Sequence, residues 1–200
     1  NEKTLVSQEP DLVVHLAKSK YFTATMDLKQ GLNHSDIIFL FVSTPSLPCG
    51  RYDHTQVDIV VKQLIQYAPS IQSKHLIIGC TTMPGYCDLI EKKLHPYGYV
   101  VSYNPEFIAQ SSVIKDLINP DMLLIGEGNK LAGNQITEIY SSILQNNPSI
   151  HRMSLKEAEI TKIALNCFLT TKIAYANMVG DVATSAGCNP DIILNAIGAD

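Results

Sequence analysis

"HLIIGCTTMPGYCDLIEKKL", residues 75–94, holds the unit from which the fold follows. Its opening run, Leu76, Ile77 and Ile78, is apolar at successive positions rather than at every second one. An alternating strand leaves one face wet, so an unbroken apolar run belongs to a strand covered on both faces, as in parallel sheets. Pro84 and Gly85 then break the run, and from Tyr86 the spacing becomes helical. Strand, turn and helix in this order make half of a βαβ crossover.

The same alternation extends outward. "DIIFLFVST" from Asp36, "YGYVVSY" from Tyr97 and "MLLIGEG" from Met122 read as further buried strands. Helical segments lie between them: "HTQVDIVVKQLIQYAP" sets Val57, Val60, Val61, Leu64 and Ile65 on one face and ends at Pro69, and "KLAGNQITEIYSSILQ" behaves similarly. The pattern predicts an α/β fold with a doubly wound, parallel, Rossmann-like sheet. The start is less regular: "EPDLVVHLAKS" predicts a short helix, "YFTAT" a short strand, and a further helix begins near Asp27. No strand with a glycine-rich turn precedes them, so the sheet reads as partial, its first βαβ unit missing.

From Ser154 the pattern changes. "SLKE" is a capping box, Ser154 as N-cap and Glu157 at the third helical position. The helix it opens runs to about Ala186, where Gly187 supplies the stop, and at roughly 30 residues it far exceeds the usual length. Asn189 and Pro190 open another helix. We therefore expect an incomplete sheet domain over residues 1–150 and the start of an all-helical domain over 151–200.

Composition narrows the function classes. The 200 residues carry a net charge of −4 with scattered basic residues, which is no footprint for nucleic acid or an anionic membrane. The five cysteines, Cys49, Cys80, Cys87, Cys167 and Cys188, form no CxxC pair, so neither a disulfide framework nor a metal site is expected. With no leader and no apolar stretch of about 18 residues, the expectation is a soluble protein of the reducing cytoplasm.

Ligands of doubly wound sheets bind outside the carboxyl ends of the strands. At the first such exit, "VSTPSLPCGRYD", Ser43 and Thr44 precede Pro45, and Gly50 lets the loop turn; the hydroxyls either contact a nucleotide or cap backbone groups. At the second, Thr81 and Thr82 have the same two readings. At the third, "SYNPEFIAQSSVIKDL" (residues 102–117), Glu106 follows Asn104 and Pro105, where a shielded carboxylate acts as a general base or caps the next turn. On the long helix Glu159, Lys162 and Asn166 fall at i, i+3, i+7 along one face, either a solvated stripe or a polar row aimed at a site.

These residues resemble the UDP-glucose/GDP-mannose dehydrogenase family, the nucleotide-sugar 6-dehydrogenases. "VSTPS" is similar to the family's V-x-T-P-T, and "TTMPG" to its S-T-V-P. "NPEFIAQSSVIKDLINPDMLLIGE" resembles N-P-E-F-L-x-E-G-x-A-I-x-D-x-x-x-P-D-R-x-x-I-G. "AEITKIALNCFLTTKIAYANMV" resembles A-E-x-x-K-x-x-x-N-x-F-L-A-x-K-I-x-x-x-N, and the early "EPDLVVHL" is similar to E-P-G-L-x-x-L. The motifs stand in the family's order over nearly the whole chain. The resemblance implies oxidation of the C6 primary alcohol of a nucleotide sugar, UDP-glucose foremost, to the carboxylate, with NAD as oxidant in two steps and a cysteine carrying the intermediate. It implies acid/base work or thioester hydrolysis for Glu106, and for Thr82 a part in holding water or cofactor. Lys162 and Asn166 would hold and stabilise the reacting oxygen, a charge that grows in the transition state. Val42, Ser43, Thr44, Pro45 and Ser46, with Thr81, Thr82 and Met83, would line the dinucleotide, and Gln110 would lie near it. Glu106, Phe107, Ile108, Ala109 and Gln110, with Lys162 and Asn166, would meet the sugar nucleotide. A homodimer built on the long helix is implied as well.

The departures are specific. The family's G-x-G-x-x-G turn and its G-G-x-C-[FL]-P-K-D segment are absent, so none of the five cysteines is assigned as nucleophile, and this chain is expected to be inactive alone. Gln110 replaces a glutamate, losing charge and proton capacity, and Ser111 replaces a glycine. Two other readings follow: a non-catalytic sugar-nucleotide-binding or dimerisation module, and a relative acting on hydroxy acids. Within the enzyme reading, GDP-mannose and UDP-N-acetylhexosamines are the alternative substrates.

Overall fold

A computed structural model describes residues 9–67, 73–108 and 112–199. The chain divides into two compact units, the first ending at Ile160 and the second beginning at Thr161.

The first unit is built on one five-stranded sheet, β1 (Ile37–Leu40), β2 (Lys74–Ile78), β3 (Tyr99–Tyr103), β4 (Met122–Gly126) and β5 (Ser149–Met153), in that spatial order. β1, β2 and β3 are parallel, with Ile38 beside Leu76 and Leu76 beside Val101. Their crossovers are α3 (Thr55–Gln66) and α4 (Tyr86–Leu94). All five residues of β2 are buried, as its unbroken apolar centre requires. Val57, Val61 and Leu64 of α3 and Cys87, Ile90 and Leu94 of α4 join Leu76 and Ile78 in the main core, while Ile77 packs in a second cluster with Leu123, Ile125 and Ile136.

Three features depart from the sequence expectations. β4 runs antiparallel to β3, meeting it at Tyr103 and Gly126, and β5 is parallel to β4. The sheet is therefore parallel-dominated rather than wholly parallel. Between β3 and β4 the chain forms α5 (Val113–Ile118), only six residues long, and an apolar run reads the same in either direction. The segment 21–25, expected as a strand, pairs with no described strand, and Tyr21 and Phe22 are exposed. β5 was not expected at all: "SIHRM" is an edge strand, exposed over its first four residues, and carries no apolar run.

The early helices form as expected. α1 spans Leu12–Lys18, and α2 (Leu28–His34) is capped by Asp27, whose carboxylate accepts from the Lys29 and Gln30 N–H groups. α6 (Lys130–Ser141) is capped by Asn129. Pro69, the expected end of α3, lies outside the described residues, as do Ala109, Gln110 and Ser111.

α7 (Leu155–Ser185) is the long helix, 31 residues. Its capping box forms: the Ser154 N–H and hydroxyl donate to Glu157 at 2.9 and 2.6 Å. Leu155, Ala158 and Glu159, spaced i, i+3, i+4, turn inward and are buried. In the second unit α7 ends before Gly187, whose φ of 71° is the left-handed conformation that a helix stop uses. The Cys188 N–H closes the end on the Ala183 carbonyl at 2.9 Å. α8 (Pro190–Ile197) follows, with Asn189 accepting from the Asp191 N–H. No helix among the described residues is long and apolar enough to cross a membrane.

Candidate functional site

Because β1, β2 and β3 are parallel, their carboxyl ends open on one side, and the three exit loops meet there. The contact between exits one and two runs through Cys80, whose thiol is hydrogen-bonded by the Val42 backbone. Exit three joins through Glu106, which is half-buried and lies near enough to act on the same thiol. Burial pushes the Cys80 thiol up, and the Glu106 charge adds to that shift. Cys87 is also raised by burial, so neither thiol at this end of the sheet is an activated nucleophile.

The third exit is held rigidly. Asn104 is buried; its amide N–H donates to the Leu124 carbonyl at 2.9 Å and its oxygen accepts from the Tyr140 hydroxyl at 2.6 Å. One side chain thus ties β3 to β4 and α6. Burial and then Glu106 push Tyr140 up to about 12, so it remains a donor at neutral pH. Phe107 packs against the core, and Ile108 is exposed. Glu106 faces a small cleft of about 30 Å³ that Pro105, Asp116, Leu117 and Tyr140 also line.

At the second exit the three residues differ. Thr81 and Met83 are half-buried, while Thr82 is wholly buried. The Thr82 hydroxyl donates to Glu159 at 2.8 Å. Glu159, itself wholly buried, also accepts from the Gly85 N–H at 2.5 Å and the Cys87 N–H at 2.8 Å. Its carboxylate therefore sits on the first turn of α4 as a cap supplied by another helix, where the helix dipole favours negative charge. Met83 is fixed from the other side, its N–H donating to His54 Nε2 at 3.2 Å. His54 lies at the start of α3 and stacks on Tyr86 with ring centroids 3.8 Å apart.

At the first exit Ser43, Pro45 and Ser46 are exposed and Val42 and Thr44 half-buried, while the Pro45 carbonyl accepts the Asp53 N–H at 2.8 Å and Ser46 bridges Tyr52, so the Ser43 and Ser46 side chains are the exposed polar groups. That edge suits part of a dinucleotide. α4 does not offer its N-terminus to a pyrophosphate, as such helices often do, because Glu159 already fills it. The order β1 to β5 never reverses, so no topological switch point lies within the described sheet, and β1 and β5 are its two edge strands.

Lys162 and Asn166 belong to the second unit. Lys162 is buried and Asn166 half-buried, and their i, i+4 spacing sets them on one face of α7. His54 was missed as a site residue, and Glu159 was read only as one member of the polar row with Lys162 and Asn166, without a role of its own. The signal for Glu159 was available, a carboxylate flanked by inward-turning Leu155 and Ala158; for His54 there was none.

Two larger hollows among the described residues lie elsewhere. One of about 560 Å³ follows Tyr21 to His34; another of about 540 Å³ surrounds Lys74 and His75 at the opposite ends of the strands. In the second, Lys74 is engaged with Asp36, and His75 with Gln135 and Ser102. Volume is thus a poorer guide than the strand exits. Among the described residues no cluster of His, Cys, Asp and Glu is placed to hold a metal ion.

Comparison with known proteins agrees with this architecture. Residues 1–144 match the NAD binding domain of the UDP-glucose/GDP-mannose dehydrogenase family, and residues 156–200 match its central domain. UDP-glucose 6-dehydrogenase of Pseudomonas aeruginosa is 27% identical over 187 residues, covering 89% of this chain and 41% of the relative. The Rickettsia prowazekii UDP-glucose 6-dehydrogenase is 28% identical over 211 residues, covering all of this chain and 47% of the relative. The chain thus spans less than half the length of these curated relatives. The crystal structure of a ternary complex of GDP-mannose dehydrogenase from Pseudomonas aeruginosa superposes with a TM-score of 0.86 at 28% identity, over 96% of this chain and 46% of that one. With both family domains matched in order along a sheet of the same fold, the chain belongs to the UDP-glucose/GDP-mannose dehydrogenase family.

Proposed function

We propose that this chain is part of an NAD-dependent nucleotide-sugar 6-dehydrogenase, with UDP-glucose as substrate, that oxidises the C6 alcohol to the carboxylate. The observation that carries the reading is the third exit: Glu106, half-buried beside the rigid Asn104 bridge, stands at the parallel strand ends next to the β1 and β2 exits. NAD, when bound, accepts the hydride. Val42 to Ser46, Thr81 and Met83 line it, and Gln110 supplies an amide where relatives of this pattern carry a carboxylate.

Glu106 takes up or steers the proton lost as the alcohol or a water reacts; its position, shielded but not sealed, suits a base that must exchange protons. Phe107 to Gln110 meet the sugar nucleotide. Lys162 and Asn166 hold the reacting oxygen, the first through charge and the second through its amide N–H. The cysteine that carries the intermediate lies outside this chain, and the long helix builds a homodimer in the cytoplasm.

The test is turnover of the full-length protein that contains this chain. Reduced NAD should accumulate with UDP-glucose, at two per sugar, faster than with GDP-mannose or UDP-N-acetylhexosamines. Glu106→Gln should lower kcat by about 100-fold or more, the usual scale for a positioned acid/base group. Sugar-nucleotide binding without turnover would instead favour a non-catalytic module, the reading that Gln110 motivates.

A further inference from the structure

Glu159 is costly where it sits. A carboxylate taken wholly out of water loses its hydration, which charge-assisted hydrogen bonds must offset. Here three donors do so: the Thr82 hydroxyl and Cys87 N–H on Oε1, and the Gly85 N–H on Oε2. All three come from the β2 exit and the first turn of α4. A buried ion retained only for stability would be replaceable by an apolar side chain. This one is bound to Thr82 on one side and to Gly85 and Cys87 on the other, so it brackets the turn that carries the half-buried Thr81 and Met83.

We propose that Glu159 is a positioning residue for the cofactor-facing turn, and that Thr82 acts with it rather than on the ligand. Thr82 is wholly buried and gives its only hydroxyl proton to Glu159, so it offers nothing to donate to a ligand. The pair instead fixes the backbone that presents Thr81 and Met83. The Lys156–Asp88 ion pair, at 3.5 Å, lies across the same contact between α7 and α4. The inference rests on the reading of this end of the sheet as an NAD site.

Glu159→Gln is the informative change, because an amide has one accepting atom. Whichever way it turns, its NH2 group faces a backbone N–H, that of Gly85 or that of Cys87. Thr82→Val removes the hydroxyl while keeping the shape, and Thr82→Ser restores it. The experiment measures, on the full-length protein, the Kd for NAD by calorimetry and the KM for NAD and for UDP-glucose, below the melting temperature of each variant. Glu159→Gln and Thr82→Val should each weaken NAD by about tenfold or more, the scale of one lost charge-assisted hydrogen bond. The KM for UDP-glucose should stay within about twofold, Thr82→Ser should bind like wild type, and the double variant should be no worse than Glu159→Gln alone. Lower melting temperatures with unchanged NAD binding would reduce Glu159 to a stabilising cap and overturn the proposal. Additive losses would separate Thr82 from Glu159 and overturn it too. Wild-type protein that binds no NAD would instead remove the NAD-site reading itself, and this inference with it.

Discussion

At the scale of single residues, His54 joins two exit loops only in one protonation state. Its Nε2 accepts the Met83 N–H, so the ring proton must sit on Nδ1 and the imidazole must be neutral. Burial lowers the His54 pKa; the carboxylates of Asp58, Glu159 and Asp53 oppose the shift and Arg51 adds to it, with the net effect downward. The stacked Tyr86 donates its hydroxyl to Asp58 at 3.0 Å, which keeps that carboxylate turned toward the pair. A histidine with a folded pKa below the unfolded value of about 6.5 contributes stability above that value and loses it as pH falls through the folded pKa. The melting temperature of the full-length protein should therefore drop between about pH 7 and pH 5. His54→Gln keeps an acceptor for the Met83 N–H without titrating, so its profile should be flatter over the same range. Parallel profiles for the two proteins would show that His54 does not couple the loops.

At the scale of elements, the meeting of β4 with the first turn of α7 leaves no space. A Cβ on Gly126 would lie 2.9 Å from the Ala158 Cβ and 3.1 Å from both the Leu155 Cα and the Tyr103 Cβ. None of these atoms is the free end of a flexible side chain. Gly126→Ala should cost about 1–3 kcal/mol, the range for overpacking, read as a lower urea midpoint at unchanged slope. A midpoint equal to wild type would mean that the contact yields. The close approach was not visible in "MLLIGEG", where the glycine reads only as a strand end. Signals confined to a few neighbouring residues were legible: β1 to β4 as apolar runs, the Ser154–Glu157 box, the helix start near Asp27 and Asn189 as a cap. What depended on distant partners was not. The antiparallel turn of β4 is set by its docking on Tyr103, and β5 by pairing with β4 through a polar sequence. Glu106 could be placed at a strand exit from its motif alone. The partners of Glu159 lie 72 to 77 residues away, so its face on the helix could be read and its role could not.

At the scale of the whole molecule, the second unit carries apolar surface that its own residues do not cover. Phe168, Tyr175 and Val182 recur every seven residues along α7, with Met178 between the last two, and all four are more than half exposed. A seven-residue apolar repeat on a straight helix is the seam by which helices pack lengthwise, each side chain entering a hole between four on the facing helix. From Phe168 to Val182 the stripe spans two heptads without a charged residue at these positions, and the nearest cation, Lys172, lies over the Phe168 ring at 5.6 Å on a long stem that lets its ammonium stay at the rim of an interface. This supports the proposed homodimer in chemical terms. Light scattering on the full-length protein at micromolar concentration should give the mass of two chains. Tyr175→Glu, placing a charge in the middle of the seam, should shift it toward one, because each buried, unpaired carboxylate costs several kcal/mol and symmetry places two in the interface. Lys92→Gln, on α4 of the first unit, changes the net charge by the same single unit, serves as a charge-matched control and should leave the mass unchanged. A dimer that survives Tyr175→Glu at nanomolar concentration would place the interface on another face, and the stripe would then need a different cover.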